Sequence, residues 1–328
     1  MRPSLRGPLA AVTALVVASG TAVLLPAPAQ ADSLIGQAEV IAGSSSTGGT
    51  CTGTGDAGDT IDITGSGTQQ KSVSANGTVT DGGDAADDTA WASSASLKVT
   101  ARTGANPSLS LKGTVAGSVD AAQGDASDCD VEASAGFTTL GLMDLDSSGW
   151  LAVSVAHPAA TVGLVMITDA ATMQVIYEGF NKEALHASIW TGAGTYQIQL
   201  VVQGDADDDS ATPTPSSFSG PATASVAYRR SGAASAAAKG PGKAYVALGN
   251  GLNCTDRQVL GVFTKKANAV RSATFLVNGK KQRTVGDPSA GEAVVLKTGS
   301  ATSATTVKVV LQTPTKKVTV SRSYLACE

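Results

Sequence analysis

Short runs in which apolar and polar residues alternate recur along the chain and restrict it to β-structure. In one such run Tyr196, Ile198 and Leu200 are separated by two glutamines. Successive side chains of a strand point to opposite faces, so this pattern predicts a half-buried strand. Helical periodicity is weak beyond the N-terminal segment, and Gly, Asn and Asp separate the runs. The sequence therefore predicts an all-β protein.

Turn signals between the runs predict many short strands. The runs 273–277 and 280–285 flank Asn278-Gly279, a pair that favours the type I′ turn of a hairpin. Such strands are typical of β-sandwiches, and a stretch rich in Gly, Ser and Thr, 44–58, predicts a loop. The other predicted strands are 71–74 and 78–80 on either side of Asn76-Gly77, 94–100, 108–115, 151–155, 162–167, 306–311 and 317–321.

The first 31 residues have the order of a secretory signal peptide. Two arginines precede an apolar run, 9–25, and the small-residue triplet Ala29-Gln30-Ala31 follows it. This order predicts export with cleavage before Asp32; the alternative is a transmembrane anchor, which the polar interruption at 19–21 disfavours. No later apolar run reaches about 18 residues, so we expect no membrane span. The expected location is extracellular, either secreted or associated with the cell wall.

Four cysteines agree with export. An even number of cysteines in an exported chain suggests disulfides, and four allow three pairings. The division into modules described next favours Cys51–Cys129 and Cys254–Cys327, one within each module. A zinc site or a thiol nucleophile is the alternative, and no Cys-x-x-Cys spacing supports it.

Charge divides the chain after the signal peptide into two modules. Residues 32–230 hold 23 acidic and 7 basic side chains, a net charge of −16, and 243–328 hold 4 acidic and 13 basic, a net charge of +9. The stretch 231–242, rich in Gly, Ala and Ser, predicts a linker. Either the charges keep each module soluble or attract the modules to each other, or the basic module contacts an anionic cell-wall polymer. Export disfavours nucleic acid as a partner.

Three segments of the acidic module carry a family resemblance: 149–155, 162–169 and the glycine-rich strand 192–200. With these segments, the region from 136 to 228 resembles the bacterial pre-peptidase C-terminal domain, a jelly-roll-like β-sandwich of secreted proteins. The aspartate-rich middle strand of that family is reduced here to Asp169.

The basic module carries a second resemblance, through the hairpin Phe275-Leu276-Val277-Asn278-Gly279-Lys280 and the C-terminal segment 321–327. The region from 244 to 328 resembles immunoglobulin-like modules of secreted proteins from high-GC Gram-positive bacteria. Both resemblances imply non-catalytic β-sandwich appendages, and neither assigns a functional residue.

Clustered aspartates are the candidate cation ligands, because calcium binds six to eight oxygens, many of them from carboxylates. No cluster matches an EF-hand loop, and the alternative is a solvated acidic loop. Asp144 and Asp146 form a further pair near a strand start. Calcium is the one cofactor that the sequence suggests. The candidates are Asp81, Asp84, Asp87, Asp88, Asp205, Asp207, Asp208 and Asp209.

No catalytic constellation stands out. His157 and His186 are the two histidines, and no Gly-x-Ser-x-Gly turn accompanies them. Trp91 follows an acidic loop and is expected to be exposed, where it would suit a sugar ligand. The sequence therefore predicts a non-catalytic secreted or cell-envelope protein that serves as a binding or structural module. The alternatives are a secreted hydrolase with a scattered active site, and an adhesion or scaffold protein that presents a broad apolar patch to a protein partner.

Overall fold

The computed structural model describes residues 33–47, 51–80, 88–120, 129–181, 184–208 and 215–328, and in these ranges the chain forms antiparallel β-sheets of sandwich type without an α-helix. The predicted all-β fold is thus confirmed. Across the same ranges, no helix has the length and apolar character that crossing a membrane requires. The chain divides into two compact units. The first contains Met1–Asp146, Leu151–Ile189 and Ala193–Tyr228, and the second contains Ser147–Trp150, Trp190–Gly192 and Arg229–Glu328.

Strands β1 to β12 form two six-stranded sheets. One has the order β2-β1-β6-β11-β8-β9, and the other has the order β10-β7-β12-β5-β4-β3. The strands are β1 Leu34–Thr47, β2 Asp56–Ile63, β3 Gly67–Val79, β4 Thr89–Arg102, β5 Ser108–Val119, β6 Asp130–Leu145, β7 Gly149–Ala156, β8 Thr161–Asp169, β9 Gln174–Asn181, β10 Leu185–Thr191, β11 Gly194–Asp208 and β12 Ser216–Arg230.

Alternation along each strand builds the core of the first unit. In β4, Leu97 and Val99 are buried, whereas Lys98 between them is exposed. Residues from both sheets join one hydrophobic cluster, composed mostly of Val, Leu, Ile and Ala. Strand β1 pairs with β6, and β5 pairs with β12, so the segment before residue 135 belongs to the same two sheets as the rest of the unit.

Two local predictions in this unit were wrong. Residues Asn76 and Gly77 lie inside β3 and pair with β4, so no turn forms there. The expected loop 44–58 is shorter, since β1 continues to Thr47 and β2 begins at Asp56.

Trp91 is buried, contrary to the expectation that it is exposed. Its side chain is 4% exposed, and its indole N–H donates to the carbonyl of Gly53 at 3.2 Å. Gly77 lies directly opposite Trp91 in β3, and a Cβ atom there would come within 3.1 Å of the indole nitrogen. The glycine is therefore needed to make room for the ring, which explains why Asn76-Gly77 does not mark a turn.

Strands β13 to β19 form the second unit. One sheet has three strands in the order β13-β14-β17, and the other has four in the order β16-β15-β18-β19. A core between the sheets contains Phe263 and Phe275, whose rings meet edge to face with centroids 5.9 Å apart. The strands are β13 Val246–Leu248, β14 Gln258–Phe263, β15 Ser272–Val277, β16 Lys280–Gly286, β17 Ala293–Lys297, β18 Thr305–Gln312 and β19 Lys317–Tyr324.

The β15–β16 hairpin forms as predicted. Asn278 and Gly279 have φ angles of 49° and 79°, the left-handed pair that a type I′ turn requires. The Asn278 side chain accepts a hydrogen bond from the Thr306 backbone N–H at 2.7 Å and so links the turn to β18.

The segment 231–242, expected to be a linker, makes specific contacts within the second unit. Ala234 bridges to Tyr324, and Lys239 bridges to Ser321 with two backbone hydrogen bonds of 2.9 Å. Part of the segment therefore runs antiparallel to β19 and contacts it through isolated bridges.

Each unit contains one disulfide, in the predicted pairing. Cys51 is bonded to Cys129, and Cys254 is bonded to Cys327. The first links the loop between β1 and β2 to the start of β6. The second links the turn before β14 to the residues that follow β19.

Candidate anion-binding face

A row of lysines crosses the outer surface of the four-stranded sheet. Leu276 of β15 lies opposite Lys281 of β16 on one side and opposite Lys308 of β18 on the other. Residues directly opposite each other in antiparallel strands project from the same face. Strands lie about 4.8 Å apart, so the two lysines are about 10 Å apart at the backbone.

The row continues beyond β18. Lys308 lies opposite Ser321 of β19, and Ser321 is bridged to Lys239. Lys239 is therefore a third exposed lysine in the row, again two strands from the previous one. Sequence reasoning missed it because it lies in the stretch interpreted as a linker.

Hydroxyl groups surround these lysines on the same surface. Thr274 and Thr319 both lie opposite Val310, one row from the lysines, and Lys317 lies one row further, opposite Gln312. Strands β15, β16, β18 and β19 contain no Asp or Glu. We name this surface the lysine face and define it as Lys239, Lys281, Lys308, Lys317, Thr274, Thr319 and Ser321.

Among the described residues, the ammonium groups of the lysine face have no carboxylate partner. Within the described part of the chain, no salt bridge joins Lys239, Lys281 or Lys308 to an acidic residue. In the first unit, by contrast, Lys71 pairs with Asp59 at 2.9 Å. Lysine ammonium groups and hydroxyls are hydrogen-bond donors for anionic oxygens, so the face has the chemistry of an anion-binding surface.

Arg322 lies on the same strand as Ser321 but serves the fold. Its guanidinium donates to the carbonyls of Leu248 and Gly249 at 2.8 and 3.1 Å and to the side chain of Asn250 at 2.8 Å. Tyr324 donates to the same Gly249 carbonyl at 3.0 Å, and burial raises the pKa of the Tyr324 hydroxyl to about 12. Arg322 is thus committed to holding the β13–β14 connection and is not counted in the lysine face.

Of the predicted calcium candidates, Asp88, Asp205, Asp207 and Asp208 are among the described residues of the first unit. Asp205 and Asp207 lie on β11, and the side chain of Asp205 is partly buried. Asp88 precedes β4, and its Oδ1 is buried without a hydrogen-bond partner among the described residues. Asp208 ends β11, and its side chain lies outside the described part. Asp81, Asp84, Asp87 and Asp209 lie outside the described residues altogether.

Glu132 lies beside Asp205 and Asp207 in the folded unit. The sequence patterns did not reveal this proximity. Glu132 lies on β6 opposite Asp207, and Asp205 lies opposite Ser134 one row away. Burial, together with the nearby Asp205 and Asp207, raises the pKa of Glu132 to about 7. Burial also raises the pKa of Asp205, although hydrogen bonds from Gln203 and Glu132 act in the opposite direction.

Within the described ranges, no group of three or more His, Cys, Asp or Glu side chains is arranged to hold a metal ion. Gln203, 2% exposed, donates to Asp205 at 3.0 Å, and its side-chain oxygen is buried without a partner among those residues. Asp144 accepts hydrogen bonds from the hydroxyls of Ser33 and Thr195, which ties β6 to its neighbours.

His157 and His186 lie next to or on β7 and β10, which are neighbouring strands of one sheet. His157 follows β7, and its Nδ1 lies 2.8 Å from the Thr161 hydroxyl and 3.2 Å from the Pro158 carbonyl oxygen. His186 is exposed on β10. The partners of His157 are thus a threonine and a carbonyl, and neither is a carboxylate.

Comparison with known proteins adds little. No family model matches the chain, and no curated protein matches it. Similar solved structures include a GH2 β-galacturonidase from Eisenbergiella tayi bound to glycerol (9% identity, 59% of this chain, 34% of that chain, TM-score 0.15) and the same kind of enzyme bound to galacturonate (10%, 59%, 35%, 0.15). Another is the adhesin domain of Epf from Streptococcus pyogenes (8%, 88%, 91%, 0.17). The chain spans about a third of the length of the galacturonidases, and at these TM-scores none of the likenesses supports a functional argument.

Proposed function

We propose that the protein is an exported, non-catalytic cell-envelope protein whose second unit binds an anionic polymer through the lysine face. The observation that supports this proposal is the row of Lys281, Lys308 and Lys239 on a sheet whose four strands contain no Asp or Glu. The N-terminal signal pattern and the two disulfides support the exported location, where thiols are oxidised.

The spacing of the lysines favours a polymer over a small anion. Neighbouring lysines of the row are separated by two strands, about 10 Å at the backbone. One phosphate or carboxylate group cannot contact all three ammonium groups at once. A chain with repeated negative groups can contact each lysine in turn, and each contact adds to the binding free energy by about 1 kcal/mol or less, as for basic residues at an anionic surface.

Replacing lysines by glutamine within the lysine face and outside it tests the proposal. The mature full-length protein is titrated with long-chain polyphosphate and with an anionic wall polymer. We expect K281Q/K308Q to weaken binding by about tenfold, because two surface charges are removed from the contact. K265Q/K266Q is the matched control, since it removes the same charge from exposed lysines that follow β14 and lie outside the four-stranded sheet. We expect the control to bind within about twofold of the wild type at moderate salt, because charges outside the contact are screened.

Salt gives a second readout. Binding of the wild type weakens as ionic strength rises, and the slope is smaller for K281Q/K308Q than for the control. Equal losses in the two double variants would mean that only net charge matters, and the lysine face would lose its assignment. Binding that does not respond to salt would remove the electrostatic basis of the proposal.

A further inference from the structure

The six-stranded sheet β2-β1-β6-β11-β8-β9 carries charge of one sign only. Its strands contain no Lys or Arg, and each of them holds at least one Asp or Glu. The four-stranded sheet of the second unit has the opposite composition, since its strands contain no Asp or Glu. Surfaces of opposite charge attract each other and disfavour contacts with surfaces of their own sign.

Carboxylates gather at one end of the acidic sheet, on its outer side. Asp207 of β11 lies opposite Glu132 of β6, and Asp205 lies opposite Ser134 in the next row. Residues directly opposite each other project from the same face, and the residues that alternate with them on β6 and β11 are buried in the core. The three carboxylates therefore lie on the outer surface of the sheet.

A fourth carboxylate, that of Asp56 on β2, reaches over the neighbouring strand. Gly43 of β1 lies opposite Asp56 on one side and opposite Ser134 on the other. A Cβ atom at Gly43 would come within 2.6 Å of the Asp56 Oδ1, so the Asp56 carboxylate lies over the β1 backbone. We name this surface the acidic face and define it as Asp56, Glu132, Asp205 and Asp207.

The spacing of carboxylates on the acidic face matches the spacing of the lysines. From Gly43, beneath the Asp56 carboxylate, the row runs through Ser134 to Asp205, which is two strands or about 10 Å. Lys281 and Lys308 are also two strands apart, about 10 Å at the backbone. Two ammonium groups of the lysine face can therefore lie against two carboxylates of the acidic face at the same time.

The acidic face has no cationic partner among the described residues. No salt bridge there joins any of its four members to a Lys or Arg. Asp56 and Asp207 are exposed, and Glu132 and Asp205 are partly exposed. Burial, and then repulsion from Asp205 and Asp207, raises the pKa of Glu132. A cation that binds beside these carboxylates relieves the repulsion.

We propose that the acidic face of one copy of this protein binds the lysine face of another copy. One surface supplies carboxylates without ammonium groups, and the other supplies ammonium groups without carboxylates, so unlike charges meet across the contact. The inference uses the lysine face but does not depend on its binding to a polymer. Since the paired groups lie at hydrated surfaces, the contact is weak and sensitive to salt.

The lysine face then has two competing ligands. A polyanion and the acidic face of another copy require the same ammonium groups, so one excludes the other. Copies without polymer associate with each other, whereas a copy whose lysine face holds a polyanion cannot bind the acidic face of its neighbour.

Sedimentation of the mature full-length protein tests the contact. The measurement is made at pH 8, where Glu132 is ionised because its pKa is about 7. We expect reversible association at an ionic strength of about 0.01 M, and none at about 1 M, where the Debye length falls to about 3 Å. D56N/D205N should associate about tenfold more weakly at low salt, since two charge pairs are lost.

D120N/E178Q is the matched control. It removes the same charge from two exposed residues of the first unit that lie outside the acidic face, one after β5 and one on the edge strand β9. It should associate like the wild type. Thermal unfolding shows whether each variant is folded, and D56N/D207N, in which both positions are exposed, replaces D56N/D205N if the partly buried Asp205 proves necessary for the fold.

Mixing two variants identifies the faces that meet. K281Q/K308Q keeps an intact acidic face, and D56N/D205N keeps an intact lysine face. Each alone should associate weakly, whereas an equimolar mixture should form heterodimers about tenfold more tightly, because the two intact faces can then meet. If the mixture associates no better than either variant alone, or if D120N/E178Q loses as much as D56N/D205N, the proposal is wrong.

Polyphosphate short enough to hold a single copy separates this inference from the proposed function. It should bind D56N/D205N as it binds the wild type, and it should dissociate associated copies of the wild type. Copies that associate but bind no polyphosphate would contradict the proposed function and leave this inference intact. A wild type that binds polyphosphate but stays monomeric at low salt without it, or copies that remain associated at saturating polyphosphate, would overturn this inference.

Discussion

The two units arrange like charges in opposite ways. In the first, Glu132, Asp205 and Asp207 occupy neighbouring positions on two paired strands, and burial with mutual repulsion raises the pKa of Glu132 to about 7. In the second, Lys281 and Lys308 are separated by Leu276, so that each ammonium group is two strands from the next. Both arrangements stand on antiparallel sheets whose inner faces form the core.

The fold of the first unit must accommodate clustered charges, whereas the fold of the second unit presents separated charges at its surface. Like charges directly opposite each other in a sheet destabilise it, and in the first unit the cluster reduces that cost by keeping a proton on Glu132. In the second unit, the intervening Leu276 keeps the lysines apart, and the row remains open to an external anion. The net charges of residues 32–230 and 243–328, −16 and +9, do not reveal this contrast.

Removing the disulfides should have the largest effect and shows how far each unit depends on its covalent link. The bridges span 78 and 73 residues, so the chain-entropy model assigns each about 4.5 kcal/mol. We expect C254S/C327S to unfold the second unit under conditions where C51S/C129S leaves most of the first unit folded. The reason is that seven strands build a smaller core than twelve. Hydrogen exchange, read segment by segment by mass spectrometry, measures both.

The two double serine variants serve as controls for each other, because the loops are nearly equal in length. Similar loss of protection in both units would mean that core size does not set the dependence on the disulfide. If only the first unit lost hydrogen-exchange protection when its own disulfide was removed, the first unit would be the one that depends more on its covalent link.

Glu132→Gln should weaken a pH dependence that belongs to the first unit alone. The pKa of Glu132 is raised from 4.5 to about 7 in the folded state, so the folded protein keeps a proton that the unfolded chain has lost. The resulting stability is fully present below about pH 4.5 and is lost as the pH rises to about 7. Melting temperatures across this window should fall for the wild type and stay flatter for E132Q, which should be the more stable of the two above pH 7.

Glu39→Gln is the matched control, since Glu39 is an exposed glutamate on the neighbouring strand β1. E39Q should follow the wild-type pH profile. If E132Q also follows the wild-type pH profile, Glu132 does not carry the proton. The first unit then no longer supports the contrast between clustered and separated charges.

Local features of the fold could be predicted from the sequence. Alternation located β7 and β11, and in β7 one face is less buried than the other along the whole strand. Asn278-Gly279 marked a turn correctly, since its positive φ angles suit these residues. The change of charge along the chain divided the cysteines between two modules, and this division gave the correct disulfides. The two family resemblances remain predictions.

Long-range pairing could not be predicted. The identical signal at Asn76-Gly77 failed because the glycine is required by Trp91, which lies on the partner strand. The lysine face depends on register across five segments, and one of its members, Lys239, lies in a stretch whose composition suggested a linker. Glu132 escaped notice because it adjoins Asp205 and Asp207 only after β6 and β11 pair.

Leu276→Lys should produce the smallest effect, and it tests the comparison in the second unit. The substitution places a third ammonium group between Lys281 and Lys308 and so converts separated charges into clustered ones. We expect a destabilisation at low salt of about 0.5 kcal/mol from like-charge repulsion across the sheet, in addition to the loss of the partly buried leucine. Denaturant titrations at low and high ionic strength measure it, and the electrostatic part should disappear at high salt.

Leu276→Gln supplies the control, because it removes the same leucine without adding charge. The difference between L276K and L276Q isolates the repulsion, and it should vanish both in high salt and in the presence of polyphosphate, whose negative groups neutralise the row. A difference that persists in high salt would have a cause other than charge. If L276K and L276Q were equally stable at low salt, clustering would carry no cost on this sheet, and the separation of the lysines by Leu276 would have no electrostatic meaning.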